Sequence, residues 1–327
     1  MDNTNPLMIQ NLHFERLLSQ RPVSGKTRGN TVVLFGEVLA DVFPDRAVLG
    51  GAPFNVAYHL RHFGQNPVLV SRLGHDTLRD KVLETMEQAD MTTAGMQSDM
   101  SHPTGQVRVH TDETGHHFDI LPQQAYDFIH PAVARMTALS AHPVMIYYGT
   151  MAQRHETSKR ALKSLLRSTD ALKFLDINLR APWYDEETLR QSLQNADIAK
   201  LNDDELRGLA GMFSLPAGEP HDQARELLAR FDLDQVVVTC GAAGAWRVDR
   251  DGNVSEAAAQ NSPEKLVDTV GAGDGFAAVT LLGRLLNWPA ALVMERANAF
   301  AAAICGIRGA IPGDADFYKP YTEGWNL

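Results

Sequence analysis

Cysteine and net positive charge are both scarce in this chain, and each scarcity disfavours a class of function. Only two cysteines, Cys240 and Cys305, occur among the 327 residues. A reducing cytoplasm is therefore the simplest setting, with a single disulfide as the alternative. Thirty lysines and arginines stand against forty aspartates and glutamates, which gives a formal net charge of −10. This balance argues against a general nucleic-acid binder, because affinity for the phosphate backbone needs clustered basic side chains.

Long apolar runs are missing as well. None approaches the roughly 18 residues of a membrane span, and the first 30 residues show no apolar signal-peptide segment. We therefore expect no membrane partner and a cytoplasmic location. Hydrophobic residues still make up 44% of the chain, which is ample for a packed core. Residues 1–30 are mostly polar, and we interpret them as an N-terminal extension.

From Thr31 onward, short apolar or β-branched runs alternate with helical patterns. This succession predicts an α/β domain with a mainly parallel sheet and helices on both faces. Residues 105–121 are the exception, because two alternating runs flank Asp112-Glu113-Thr114-Gly115 and predict a β-hairpin. Strands are expected at 32–35, 67–71, 144–148, 172–177, 198–201, 235–239 and 245–248. Helices are expected at 54–62, 77–88, 155–167, 186–194, 203–210, 222–230, 276–286 and 291–304.

A glycine-rich turn near the C-terminus, Val270-Gly271-Ala272-Gly273-Asp274, is the most informative feature of the chain. The apolar run that follows predicts a buried helix, and a helix N-terminus offers unpaired backbone N–H groups to an anion. Gly271 and Gly273 remove side chains that would keep the anion away. A carboxylate beside an anion site makes sense if Asp274 accepts the proton of a hydroxyl that attacks a bound phosphate. A loop with a helix-capping aspartate is the alternative.

Two motifs resemble one family. Asp268-Thr269-x-Gly271-Ala272-Gly273-Asp274-x-Phe276 resembles the C-terminal signature of the ribokinase-like (PfkB) carbohydrate kinases. Gly36-Glu37-Val38-Leu39-Ala40-Asp41, followed by Gly50-Gly51-Ala52-Pro53-Phe54-Asn55-Val56-Ala57, resembles the sugar-binding segment of that family in its fructokinase form. The resemblance implies a three-layer sandwich with a small β lid. It places one kinase domain at residues 31–327, with lid segments near 42–52 and 104–121.

The resemblance also implies a sugar site. A free carboxylate at Asp41 can accept two sugar hydroxyl hydrogen bonds, although a turn-forming aspartate is the alternative. In the Asp176-x-Asn178-x-Arg180 stretch, the always-charged Arg180 is suited to bind a phosphate or sugar oxygen. A surface salt bridge is the alternative role for Arg180. Asn55 offers a donor and an acceptor, or simply caps a helix. The sugar-binding candidates are Asp41, Gly50, Gly51, Asn55, Gln106 and Arg180.

Nucleotide and metal positions follow from the same resemblance. Asn202 and Glu205 match the Asn-x-x-Glu motif associated with Mg²⁺ and phosphate, but the same spacing also makes a capping box. The turn at 239–244 resembles the nucleotide loop, and a ligand-free hairpin explains its glycines equally well. In some members the loop at 306–313 and the Asp268 backbone hold a monovalent cation, which leaves K⁺ open here. The nucleotide candidates are Asn202, Thr239, Gly241, Gly244 and Asn298, and the metal candidates are Asn202 and Glu205.

The expected function is ATP-dependent phosphorylation of a sugar hydroxyl, with fructose as the expected substrate. Asp274 would act as general base, and the backbone N–H groups of Gly271, Ala272 and Gly273 would form the anion hole. A 2-keto-3-deoxygluconate kinase, or another PfkB sugar or nucleoside kinase, is the alternative. A catalytically silent sugar-binding regulator is the alternative from a different class. Lid strands commonly pair into homodimers in this family, and the sequence leaves the oligomeric state open.

Overall fold

The computed structural model describes residues 30–112, 115–258 and 266–327. The interpretation of residues 1–30 as an extension therefore falls outside the described part, apart from Asn30, and so does the hairpin tip at Glu113-Thr114. Within the described part, no helix combines the length and the apolar character that crossing a bilayer requires.

The chain alternates strands and helices as the sequence predicts. The strands are β1 (Thr31–Phe35), β2 (Leu39–Val42), β3 (Ala47–Gly50), β4 (Asn66–Leu73), β5 (Met96–Ser98), β6 (Gly105–Asp112), β7 (Gly115–Ile120), β8 (Met145–Gly149), β9 (Leu172–Asp176), β10 (Ile198–Asn202), β11 (Gln235–Thr239), β12 (Ala245–Asp249) and β13 (Val254–Ala257). The helices are α1 (Ala52–His62), α2 (Thr77–Gln88), α3 (Pro131–Ala141), α4 (Glu156–Leu166), α5 (Glu186–Gln194), α6 (Asp203–Met212), α7 (Pro220–Phe231), α8 (Ala272–Leu285), α9 (Ala290–Ile304) and α10 (Lys319–Trp325).

A nine-stranded central sheet carries the fold, in the order β13-β12-β11-β10-β9-β8-β1-β4-β5. The pairs from β11 to β5 are parallel, whereas β12 and β13 add antiparallel to the edge. The mainly parallel sheet is therefore confirmed. Parallel strands bring their carboxyl ends to one edge, where ligands of such sheets collect. The register sets Lys200 beside Asp176 and Asn202 beside Thr239 at that edge.

The core lies on both faces of this sheet. Alternate residues of β1 divide between the faces, with Val33 and Phe35 on one and Val32 and Leu34 on the other. Helices α3 to α7 cover the first face, and α1, α2, α8, α9 and α10 cover the second. This is the expected three-layer arrangement, because strands apolar on both faces need helices on each side.

A second, four-stranded sheet has the order β3-β2-β6-β7. β6 and β7 pair antiparallel, which confirms the predicted hairpin. β2 joins them through a parallel pair with β6 and turns back antiparallel into β3. Both expected lid segments thus combine in one small sheet.

Candidate active site

A cavity of ≈ 890 Å³ lies between the carboxyl edge of the central sheet and the small sheet. Its size is within the usual range for small-molecule sites. Its wall contains these predicted residues: Asp41, Gly50, Gly51, Asn55, Arg180, Asn202, Glu205, Thr239, Gly241, Gly244, Gly271, Ala272, Gly273, Asp274 and Asn298. The structure does not bring Gln106 into the wall. Its strand neighbour Val107 lies there instead, because adjacent side chains of a strand point to opposite faces.

The glycine-rich turn leads directly into α8, and Gly271 is its N-cap with φ +82°. A Cβ atom on Gly271 would lie 2.4 Å from the Cα atom of Ala310, so both the backbone conformation and the close approach require glycine. A Cβ atom on Gly273 would have the Lys200 Nζ atom as its neighbour, at 3.6 Å. The first-turn N–H groups of α8 have no partners within the helix, which suits this end to an anion.

Asp274 lies in the first turn of α8, where Asn55 Nδ2 donates a hydrogen bond to its Oδ2 at 2.7 Å. Burial raises the pKa of Asp274 to about 6. The hydrogen bond from Asn55 opposes that rise, and the charge of Asp176 adds to it. With this pKa the carboxylate is ionised at neutral pH and can accept a proton.

Asp176 is a buried carboxylate of the cavity wall, and both of its oxygens have partners. Lys200 Nζ lies 2.7 Å from Asp176 Oδ1, and the Tyr147 hydroxyl donates to Asp176 Oδ2 at 2.9 Å. Burial works against the charge on Lys200, but Asp176 more than offsets this and raises the pKa of Lys200. Sequence reasoning missed Lys200, although a lysine inside the otherwise apolar strand β10 was an available signal.

Asn202 and Glu205 form a capping box at the start of α6. Glu205 Oε2 accepts from the Asn202 N–H at 2.8 Å, and Oε1 accepts from the Leu179 N–H at 3.0 Å. The capping interpretation is therefore realised, and burial raises the pKa of Glu205. The described part of the chain gathers no group of three His, Cys, Asp or Glu side chains suited to a metal. A single wall carboxylate fits Mg²⁺, which keeps several waters and binds substrate phosphates.

The turn between β11 and β12 is both a hairpin turn and part of the cavity wall. The Cys240 N–H donates to the Gly244 carbonyl at 2.8 Å, and Gly241 and Gly244 have φ +53° and +102°. A Cβ atom at Gly241 would meet nothing within 4 Å, so this turn is open where the Gly271 turn is packed. Opposite it, Asn298 of α9 donates to the Ala258 carbonyl at 2.8 Å.

The small sheet places Asp41 in the cavity wall rather than in a turn after the first strand. Burial, with a smaller contribution from Asp268, raises the pKa of Asp41 to about 6.

Arg180 lies exposed at the cavity and donates to the Leu179 carbonyl. Arg180 forms no salt bridge among the described residues, so the alternative role in a surface ion pair is not observed. The loop expected to hold a cation is tied to Asp268, whose Oδ2 accepts from the Gly309 N–H at 3.1 Å.

The comparisons with known proteins agree with this geometry. A fructokinase of Klebsiella pneumoniae is 30% identical over 317 residues, which cover 89% of this chain and 96% of the relative. Vibrio cholerae fructokinase, solved with fructose, ADP and calcium ion bound, superposes with a TM-score of 0.72 at 22% identity, covering 89% of this chain and 98% of that one. Aminoimidazole riboside kinase of Salmonella enterica, solved with aminoimidazole riboside and an ATP analogue, has a TM-score of 0.72 at 20% identity. That match covers 89% of this chain and 99% of the other.

The two solved structures are too distant in sequence to show more than a shared ribokinase-like fold, and they act on different substrates. The family evidence is broader, because the model for the pfkB family carbohydrate kinases matches residues 23–316 and includes both glycine-containing motifs of the cavity. A family match of this extent establishes the relationship. The chain belongs to the pfkB family of carbohydrate kinases.

Proposed function

We propose that this ATP-dependent sugar kinase phosphorylates fructose, with Asp274 as the general base. The observation that carries the proposal is the environment of Asp274. Its carboxylate lies in the first turn of α8 and is oriented by Asn55, and burial raises its pKa to about 6. A base must be ionised and positioned, and both conditions are met at neutral pH.

The sugar would bind between the small sheet and α1. Asp41 and Asn55 would bond its hydroxyl groups, and Gly50 and Gly51 would admit it close to the backbone. Gly51 has φ +105°, and a Cβ atom there would lie 2.6 Å from the Glu37 carbonyl oxygen, so the wall has no room for a side chain.

Phosphoryl transfer depends mainly on positioning and on charge stabilisation. The attacking hydroxyl would give its proton to Asp274, and the N–H groups of Gly271, Ala272 and Gly273 would stabilise the transferring phosphoryl group. Arg180, exposed at the cavity, would bind phosphate oxygens. The small sheet covers the cavity and would exclude water during transfer.

ATP would lie along the carboxyl ends of β10 and β11. That part of the wall is lined by Asn202, Thr239, Gly241 and Gly244. Asn298 would border the adenine base of ATP. Mg²⁺ would neutralise phosphate charge when bound, with Glu205 acting through the waters of the ion. The contact between Asp268 and Gly309 would hold the loop in place for K⁺.

A coupled assay of ADP release over several acceptors tests this proposal. The Gly50-Gly51-Ala52-Pro53 motif and the Klebsiella pneumoniae relative both support fructose. We expect fructose to give the highest kcat/KM among fructose, ribose, 2-keto-3-deoxygluconate and adenosine. A preference for another acceptor would reject fructose as the substrate and leave the assignment as a sugar kinase intact. Sugar binding without ADP release from any acceptor would instead indicate a silent regulator.

A further inference from the structure

Glu37 is a buried carboxyl group of the cavity to which the proposed reaction assigns no role. It follows β1 and Gly36, lines the cavity and has a relative exposure of 4%. Its Oε2 atom has no hydrogen-bond partner. An unpaired buried carboxyl oxygen is costly, so its retention in the wall of a cavity needs a reason.

The position of Glu37 is fixed by the start of α1. The backbone N–H groups of Glu37 and Ala52 favour the charged form of the Glu37 carboxyl group, and the Gly51 backbone packs against the Glu37 carbonyl. One turn further along α1 is Asn55, whose Oδ1 is also buried without a partner while its Nδ2 donates to Asp274. Glu37 and Asn55 therefore both line the cavity together with the proposed base, and each keeps one buried oxygen without a partner.

Burial keeps the Glu37 carboxyl group able to exchange a proton near neutral pH. Burial raises the pKa of Glu37 to about 7, the charge of Asp274 adds to the rise, and the charge of Arg154 opposes it. Arg154 is held in place by Asp127, with an Nε–Oδ1 distance of 2.7 Å. A carboxyl group in this state can accept a hydrogen bond from a hydroxyl group or donate one to it.

We propose that Glu37 is a specificity-determining residue, whose carboxyl group bonds a sugar hydroxyl other than the one that is phosphorylated. The proposal rests on the proposed function only in requiring a polyhydroxylated acceptor in this cavity. A site built to bond a hydroxyl group rejects an analogue that lacks it, because the protein group is then left buried and unpaired. Glu37 therefore selects against acceptors deoxygenated at one position.

An ordered water is the competing partner for Glu37. Arg154 Nη1 and the Tyr126 hydroxyl are also buried without partners, and neither residue lines the cavity. A water bonded to these groups and to Glu37 would satisfy all three, and Glu37 would then be indifferent to the sugar. Tyr126→Phe removes one of the water's partners without touching the cavity wall, so it serves as the matched control.

The test compares kcat/KM for fructose with kcat/KM for each monodeoxy analogue of fructose. The wild-type enzyme is compared with Glu37→Gln, Glu37→Met, Glu37→Asp and Tyr126→Phe. We expect one analogue to be disfavoured by about 10²-fold or more in the wild type and to recover to within a few-fold of fructose in Glu37→Met. Glu37→Gln should keep most of the discrimination, since an amide still bonds a hydroxyl group. Tyr126→Phe should leave it unchanged.

The ratio of two substrates in one preparation is independent of the fraction of folded enzyme. If Glu37→Met does not fold, Glu37→Asp, which is one methylene shorter, should lower the same ratio. The proposal would be overturned if the ratio of kcat/KM for fructose to that for the analogue were the same in Glu37→Met or Glu37→Asp as in wild type. It would also be overturned if Tyr126→Phe lost this discrimination to the same extent. If the wild type does not phosphorylate fructose, the proposed substrate fails separately. The ratios are then measured with its best acceptor and the monodeoxy analogues of that sugar.

Discussion

The two walls of the active-site cavity differ in how their polar groups are paired. The wall at the ends of β9 and β10 holds Asp176, Lys200, Asn202 and Glu205, which we call the paired wall, and their side chains bond one another, Tyr147 or the backbone. The opposite wall holds Glu37, Asp41, Asn55 and Asp274, which we call the open wall. Its groups include two partnerless oxygens, Glu37 Oε2 and Asn55 Oδ1. Burial raises the pKa values of its three carboxyls, as it raises that of Glu205 in the paired wall.

This difference separates scaffold from reacting surface. Both walls bury carboxylates, but a buried charge is stable only when it is paired, and the paired wall supplies Lys200 for Asp176. In the open wall, polar oxygens stay without protein partners, and under the proposed function the sugar hydroxyl groups would bond to this wall. A carboxyl whose pKa is higher in the folded than in the unfolded protein lowers stability as pH rises between those two values. The raised pKa values of the open wall therefore lower stability at neutral pH, a cost that the proposed binding and proton transfer would explain.

The largest effect is expected for Asp274→Asn in the open wall. The amide is nearly isosteric and can still accept the hydrogen bond from Asn55, but it cannot take the hydroxyl proton. A positioned base contributes roughly 10²–10⁴-fold, and we expect kcat to fall by that factor. Affinity for ATP should be retained or slightly improved, because a negative charge leaves the phosphate site. Steady-state kinetics and equilibrium ATP binding measure the two effects, and near-normal turnover would remove Asp274 as the base.

Lys200→Met tests the paired wall through stability. The change leaves Asp176 buried without its cation, and breaking such a pair typically costs about 3–5 kcal/mol of unfolding free energy. Adding Asp176→Asn to the same chain should restore part of this loss, because no uncompensated charge then remains. Denaturant unfolding of the two single variants and the double variant measures the coupling. A loss below about 1 kcal/mol for Lys200→Met would show that the two walls do not differ in this way.

Glu205→Gln examines whether the paired wall also serves the metal. We expect the Mg²⁺ concentration for half-maximal activity to rise by about 10–100-fold and turnover to slow, because charge that organises the waters of the ion is lost. Asp204→Asn is the matched control, since this neighbouring carboxylate is exposed and paired with Arg207. An unchanged Mg²⁺ dependence would leave Glu205 as a capping residue alone.

A separate effect of Asp274→Asn is a gain in stability at neutral pH. The pKa of Asp274 rises from 3.8 to about 6 on folding, so the wild-type protein loses stability as pH climbs through this interval and the variant does not. We expect the variant to gain about 3 kcal/mol relative to wild type at pH 7, because one pKa unit corresponds to about 1.4 kcal/mol, and we expect the difference to vanish below pH 4. Thermal unfolding at several pH values measures this, and a variant less stable than wild type at pH 7 would contradict it.

The sequence predicted most elements of the fold, because their apolar periods are regular. The helices at Thr77–Gln88 and Glu186–Gln194 have the predicted bounds. Helix α3 was not predicted. Its Val133, Met136 and Leu139 are exposed, so apolar residues occur on both its sides and blur the helical period.

Motifs at strand ends predicted most of the cavity wall, but pairings across strands could not be read from the chain. Lys200 and Asp176 meet through the register of β10 and β9, 24 residues apart in sequence. The requirement for glycine at Gly271 depends on Ala310, which a separate loop brings into contact. Glu37 lies within a recognised motif, yet only burial and a partnerless oxygen distinguish it. Gln106 lies outside the cavity wall, since the sequence alone does not show which face of its strand meets the cavity.

The pH dependence of kcat at saturating fructose and ATP tests the central claim most directly. Under these conditions the bound sugar would contact Glu37 and Asp41 throughout the pH range. The pKa measured from kcat would then be that of the general base in the bound complex. We expect wild-type kcat to fall about tenfold per pH unit below a midpoint at or above 6, because ATP adds negative charge beside Asp274. The residual kcat of Asp274→Asn should be level over the same range. A level wild-type profile down to pH 5, or the same midpoint in the variant, would contradict the account.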